Sequence, residues 1–321
     1  MCALFGLVNY GNVLSKKQLK KLVREMSAAS EVRGTDASGI AYVKRNKIMI
    51  YKKPKPAHEV NFYFPSDTKI IMGHNRMTTQ GNAKYNYNNH PFLGKTEDGY
   101  FALCHNGMLH NDDTLKKEKN LPKTHIETDS YVAVQLIEKY GNLNFESIAE
   151  MSASVRGSFV FTVLSDDNKL YISKGDNPIC LLHFKELGLY LYTSTKAIMQ
   201  EVLQNSFLEK QEAEIITVEE GEIISIDKHG KLERSRFCFM NDLYADFPNL
   251  YTNWYANEEE RAAYGSYLFD YCNMFGLSED ELLLLYEMGY EDEDIELLLM
   301  DHDMLRQCVN EAKFCIGEYC Y

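Results

Sequence analysis

The chain has 321 residues, 45% hydrophobic and 25% charged, enough for one large core and a smaller companion. No apolar run approaches the roughly 20 residues needed to cross a bilayer, and MCALFGLVNYGNVLSKK lacks the basic start and long apolar stretch of a secretory leader, so a cytoplasmic, non-membrane protein is expected. The net charge of −13 is uneven: residues 240–321 hold 19 acidic against 3 basic side chains (−16), leaving +3 for the first 239, which argues against nucleic acid as a partner.

Cys2 opens a short apolar run, and residues 3–9 and 40–51 read as strands from their β-branched and aromatic content. Between them Leu19, Leu22, Val23, Met26 and Ala29 recur at helical spacing behind a capping Ser15, which predicts an amphipathic helix. Further strands are expected at 68–76, 99–107, 157–164, 169–175, 179–184 and 188–195, with helices over 128–141 and 144–154. The stretch 214–237 closes this part with two expected strands. Short strands with helices grouped between them indicate an α+β fold rather than alternating βαβ units.

Beyond residue 240 the pattern becomes helical. Asn257 and Glu258 to Glu260 cap a run with Tyr264, Tyr267, Leu268, Tyr271, Cys272 and Phe275 at helical spacing, and three short helices with acidic starts follow. The domains are therefore placed at 1–239 and 240–321, the second a small all-α region. The eight cysteines are scattered, without CxxC or zinc-like spacing, so reduced thiols and no metal are expected. No phosphate-binding loop is present, and no cofactor is expected.

Taken singly, the polar clusters are ordinary. RGTDASG (33–39), GHNRMTTQGN (73–82), NNHPF (88–92), HNGML (105–109) and ETDSY (127–131) each read as a turn, a polar loop, a hairpin or a helix cap. GDNPI (175–179) reads as a turn after a strand. His74, His90, His105, His110 and His125 have no HExxH-like pairing, and hydrogen bonding within the fold is the reading for His74 and His105.

Taken in order, an N-terminal Cys, RGxDxxG, GHxRxxTxG, HP, HNG and TDS resemble the class II glutamine amidotransferase domain of the N-terminal-nucleophile hydrolases, over residues 2 to about 235. The resemblance implies a four-layer αββα sandwich and hydrolysis of the L-glutamine side-chain amide through a thioester on Cys2. It implies an oxyanion hole from Asn106 and Gly107, substrate contacts from Arg76, Thr79 and Asp129, and support of the nucleophile's strand by Arg33. Residue chemistry agrees. A thiol titrating near ~8.5 needs a base, and a free α-amino group titrating near ~7.7–8.0 serves if Met1 is removed. Aminosugar-forming members carry Trp and His where this chain has Met77 and Gln80, which weakens assignment to that branch.

The 80 or so residues after the domain are expected to contain no ammonia-acceptor site, so a separate synthetase or amidoligase partner is expected. Two alternatives stand beside this reading: an amidase acting on another γ-glutamyl or peptide-like amide, and a non-catalytic interaction module. Residues 282–312 faintly resemble three-helix ubiquitin-associated-like modules through Met288-Gly289-Tyr290; a helical cap with a solvated acidic face is the favoured reading.

Overall fold

The computed structural model describes residues 2–238 and 277–288, with single positions 290, 295, 298, 305, 306, 308–310 and 313. The chain divides into two compact units, Met1–Asp242 and Leu243–Tyr321.

Thirteen strands of the first unit form two antiparallel sheets. They are β1 (Ala3–Asn9), β2 (Ala37–Val43), β3 (Ile48–Lys53), β4 (Ile70–Arg76), β5 (Phe92–Lys95), β6 (Tyr100–Leu109), β7 (Gly157–Ser165), β8 (Lys169–Lys174), β9 (Cys180–Phe184), β10 (Leu189–Thr193), β11 (Glu214–Ile216), β12 (Glu222–Asp227) and β13 (Leu232–Arg236). The first sheet has the order β11-β9-β10-β1-β4-β2-β3 and the second β13-β12-β8-β7-β6-β5. Five helices accompany them: α1 (Lys16–Ala29), α2 (Asp112–Glu118), α3 (Tyr131–Tyr140), α4 (Phe145–Ser154) and α5 (Lys196–Gln204).

Side-chain alternation along the strands shows how the layers stack. In β1, Phe5 and Leu7 join the apolar cluster of α1 and α5, while Leu4 and Val8 join a second cluster with Met72 of β4, Cys104 of β6 and Val160 of β7. In β6, Phe101 and Leu103 turn the other way, into a third cluster with α3 and α4. Three apolar layers separate four structural ones, giving an α+β fold with αββα order. Helix α1 is closed by a Ser15–Gln18 capping box, and burial of Leu19, Leu22, Val23 and Met26 stabilises it by about 1.5–3 kcal/mol each.

Three sequence expectations are corrected. Residues 40–51 are not one strand: β2 and β3 make a hairpin whose Arg45 and Asn46 both have positive φ (51° and 55°), with Lys44 and Lys47 exchanging backbone hydrogen bonds. That is a primed turn, which matches the right-handed twist of its strands. HNGML is no hairpin; it runs inside β6, paired with β7 through Asn106↔Val160 and Gly107↔Phe159. Residues 214–237 hold three strands, because the chain leaves the first sheet after β11 and re-enters the second at β12 through Gly221, at φ +72°.

In the second unit, α6 (Glu279–Glu287) starts with a Ser278–Glu281 capping box. Leu277, Leu282, Leu285, Ile295, Leu298, Leu305 and Val309 form its buried cluster, with Tyr290 packed partly against it and Met288 exposed. Gly289 and the helix expected over 257–275 lie outside the described residues. No helix among the described residues is long and apolar enough to cross a membrane.

Candidate active site

The strand ends bring the motif residues together. Cys2 precedes β1, whose Ala3 pairs with Asn75 of β4, so the nucleophile candidate lies beside Arg76. Alternation puts Cys2, His74 and Arg76 on the face that Leu4 and Met72 share, between the sheets. In β6 it puts Asn106 on the face of Ala102 and Cys104, the same layer approached from the other sheet. One polar bond crosses the gap there: His74 Nε2 to the carbonyl of His105, 2.9 Å.

Cys2 is half-buried, and its thiol donates to the Met77 carbonyl at 3.4 Å. Burial pushes its pKa up, opposed in part by a backbone contact at Met77 and by the Arg76 guanidinium, while Asp129 adds to the rise. A base is therefore needed to make the thiolate. Arg33 Nε donates to the Cys2 carbonyl at 2.8 Å and fixes the backbone that carries the thiol.

Asn106 is fully buried, and neither its Oδ1 nor its Nδ2 has a hydrogen-bond partner among the described residues. Its carbonyl instead accepts from Asn177 Nδ2 at 3.0 Å. Gly107 follows at φ +150°, where a Cβ would sit 1.8 Å from the Ser158 carbonyl oxygen, so only glycine fits.

Arg76 Nη1 donates to Asn89 Oδ1 at 2.7 Å, and Nη2 donates to the carbonyls of Gln80 (2.5 Å) and Gly81 (3.4 Å). A guanidinium has five N–H donors, so Nε and one hydrogen on Nη1 have no partner among the described residues. Asp129 Oδ2 accepts from Leu109 N at 2.7 Å, which ties the start of α3 to the end of β6. Arg76 and Asp129 both act electrostatically on Cys2 and on each other. Thr79 is exposed on the loop after β4 and is not drawn into this network.

Three supporting residues lack a role in the motif reading. Asp36 Oδ2 accepts from Thr78 N at 2.7 Å and pins the loop that covers Cys2. Ser130 meets His105 Nδ1 at 2.8 Å. Asn177, in the turn GDNPI, holds the Asn106 backbone. Their signal in sequence is only their place inside or beside the motifs.

Residues 74–200 match the model of the glutamine amidotransferase domain family. This stretch carries a glutamine amidotransferase domain. Glutamine–fructose-6-phosphate aminotransferase [isomerizing] of Staphylococcus aureus is 29% identical over 280 residues, 84% of this chain and 42% of that protein. The enzyme of the same name from Staphylococcus epidermidis is 28% identical over 245 residues, 73% of this chain and 38% of that one. The chain thus spans about two-fifths of the length of these curated relatives. Among solved structures, glutamine phosphoribosylpyrophosphate amidotransferase from B. subtilis superposes with a TM-score of 0.57 at 20% identity, covering 75% of this chain and 50% of that one. The allosteric regulatory enzyme of purine biosynthesis superposes at 0.58, also with 20% identity. These two likenesses show the fold: the amidotransferase domain here has the N-terminal-nucleophile sandwich.

Proposed function

We propose that the protein hydrolyses the side-chain amide of L-glutamine through a thioester on Cys2 and supplies the ammonia to an acceptor site on a separate synthetase or amidoligase subunit. The observation that carries the hydrolytic part is the convergence of the half-buried thiol, the partner-free Asn106 amide and the Arg76–Asp129 pair at one end of the inter-sheet layer. With Met1 removed, the Cys2 α-amine takes the thiol proton and the sulfur attacks the amide carbon. Asn106 Nδ2 and Gly107 N–H meet the oxyanion; a single such donor is commonly worth about 10²–10³ in rate. The C–N bond breaks, the α-amine returns the proton to the leaving nitrogen, and ammonia departs. Water then attacks the thioester, freeing glutamate and the thiol.

Arg76 and Asp129 suit the two ends of a free amino acid, a carboxylate and an ammonium, which favours glutamine over a peptide-like amide. Arg33 acts through the Cys2 backbone. Residues 240–321 carry no phosphate-binding motif and a strongly acidic composition, which supports an acceptor site outside them. Glutamate release from glutamine, measured for wild type and Cys2→Ala, tests the hydrolytic reading, and release that survives Cys2→Ala refutes it. Glutaminase rate measured with candidate synthetase subunits tests the partner; a rate indifferent to all of them counts against a separate acceptor.

A further inference from the structure

Arg76 is buried at the end of β4, and a buried cation is costly unless its N–H groups are met. Its three hydrogen-bond partners are neutral oxygens: the Asn89 side chain and the carbonyls of Gln80 and Gly81. They hold both terminal nitrogens of a planar group whose recognition of a carboxylate depends on its orientation. Asn89 bears on all three contacts. It meets Nη1 through Oδ1, and its Nδ2 donates to the Ala83 carbonyl at 2.8 Å, which anchors the loop that carries the other two.

Asn89 is itself fixed by a second cation. Lys52 Nζ, from β3, donates to the carbonyls of Asn89 (2.5 Å) and Pro91 (2.9 Å) and lies 5.2 Å from the centre of the Phe92 ring. Gly39, paired with Lys52 across β2 and β3, lets this segment approach the sheet: a Cβ there would sit 2.4 Å from the His90 carbonyl oxygen. Burial draws the Lys52 pKa down to about 8, opposed by Cys104 and aided by Arg76. A line of contacts, Lys52 to Asn89 to Arg76, thus runs from the edge strand β3 to the end of β4. The order of the motifs gives neither Lys52 nor Asn89 a role.

We propose that Asn89, held by Lys52, is a positioning residue that orients the Arg76 guanidinium for the α-carboxylate of glutamine, and so sets the preference for a free amino acid over one whose carboxylate is masked. The inference rests on the glutaminase reading and adds to it the residues that decide this preference. Both side chains act through Arg76, so their effect falls on binding of the carboxylate end rather than on cleavage of the C–N bond.

The test compares L-glutamine with L-glutaminamide, which has the same side-chain amide and α-ammonium but a neutral carboxamide in place of the carboxylate. Full-length protein is assayed for glutamate formed from the first and isoglutamine from the second, and the quantity read is the ratio of the two kcat/KM values. The folded fraction of a preparation cancels in this ratio. Wild type is expected to favour glutamine. Asn89→Ala is expected to lower the ratio on the order of tenfold, the effect of one lost hydrogen bond to a charged group, through a rise in KM for glutamine. Lys52→Met is expected to lower it in the same way by a smaller factor, and serves if the Asn89 variant does not fold. Rates for both substrates falling in proportion, a ratio unchanged in the folded variants, or a fall in kcat for glutamine at constant KM each overturns the positioning role and leaves the hydrolytic reading standing. So does a wild type that hydrolyses glutamine without preferring it to glutaminamide. A wild type that forms neither product removes the hydrolytic reading, and this one with it.

Discussion

Replacing Gly107 by alanine is expected to cost stability and rate together, and the structure sets the size of both. A Cβ at this position meets the Ser158 carbonyl oxygen at 1.8 Å, its carbon at 2.6 Å and His105 Nε2 at 2.7 Å. Two of these atoms belong to the backbone of β7, paired to β6, so the strand itself must move. A non-glycine residue at φ +150° costs about 1–3 kcal/mol, and forcing atoms into a packed region costs about 1–3 more. The sum, roughly 2–6 kcal/mol, lowers Tm by about 5–20 °C at ~2–4 °C per kcal/mol for a unit of this size. Gly141 is the control: its φ is +98°, but the nearest atom to a Cβ is Glu97 Oε1 at 4.0 Å, so Gly141→Ala bears the backbone cost alone, about 1–3 kcal/mol. Displacing the Gly107 N–H should also cut glutamate release by about 10²–10³. Differential scanning calorimetry and a coupled glutamate assay on both variants make the comparison. A Gly107→Ala protein that melts no lower than Gly141→Ala and retains its rate within threefold refutes the reasoning.

Asn177→Ala removes the donor to the Asn106 carbonyl. It is expected to lower kcat for glutamine about tenfold with KM little changed, since the oxyanion donor rather than the amino-acid clamp is disturbed; an effect on KM alone contradicts this. Arg76→Lys keeps the charge but cannot bridge Asn89, Gln80 and Gly81 while receiving a carboxylate, so KM for glutamine should rise at least about tenfold, and unchanged steady-state kinetics would count against the assignment. In the second unit, Glu281 is held at a pKa of about 2, chiefly by Lys313 and then by the Ser278 N–H. Its folded pKa lies below the unfolded value, so the stabilisation is complete above about pH 4.5 and fades as pH falls toward 2. Hydrogen exchange at Leu282 and Leu285, corrected for intrinsic rates, should accelerate over that window in wild type and lose the pH dependence in Glu281→Gln.

Much of the architecture was legible because periodicity and motif order are both local to the chain. Helix α1 shows its stripe and its cap, and β1, β7 and β8 are dense apolar runs. The β2–β3 hairpin was hidden because its primed turn is built from Arg45 and Asn46 without a glycine. Helix α5 is nine residues long directly after an apolar strand, and its Ile198, Met199 and Val202 stripe is too short to stand out. HNG looks like a turn from its Asn and Gly, yet its glycine answers to a neighbouring strand's carbonyl 51 residues away in sequence. Asn177 and Asp36 act on backbone groups of distant segments and Ser130 on the His105 ring, and no spacing rule announces that.

The strands that carry Cys2 and Asn106 belong to different sheets, joined near the site by the His74–His105 bond and elsewhere mostly by apolar contact, with Tyr190 donating to the Gly230 carbonyl of the β12–β13 turn at 3.2 Å. Apolar contacts resist separation well and sliding poorly. The site therefore works as a gauge of registry between two plates: a slip of a single residue step carries Asn106 past the sulfur while both sheets keep every ladder bond and nearly all of their buried area. On warming, glutamate release should fade before circular dichroism records any loss of strand, and a covalent tie between β4 and β6 should bring the two curves back together.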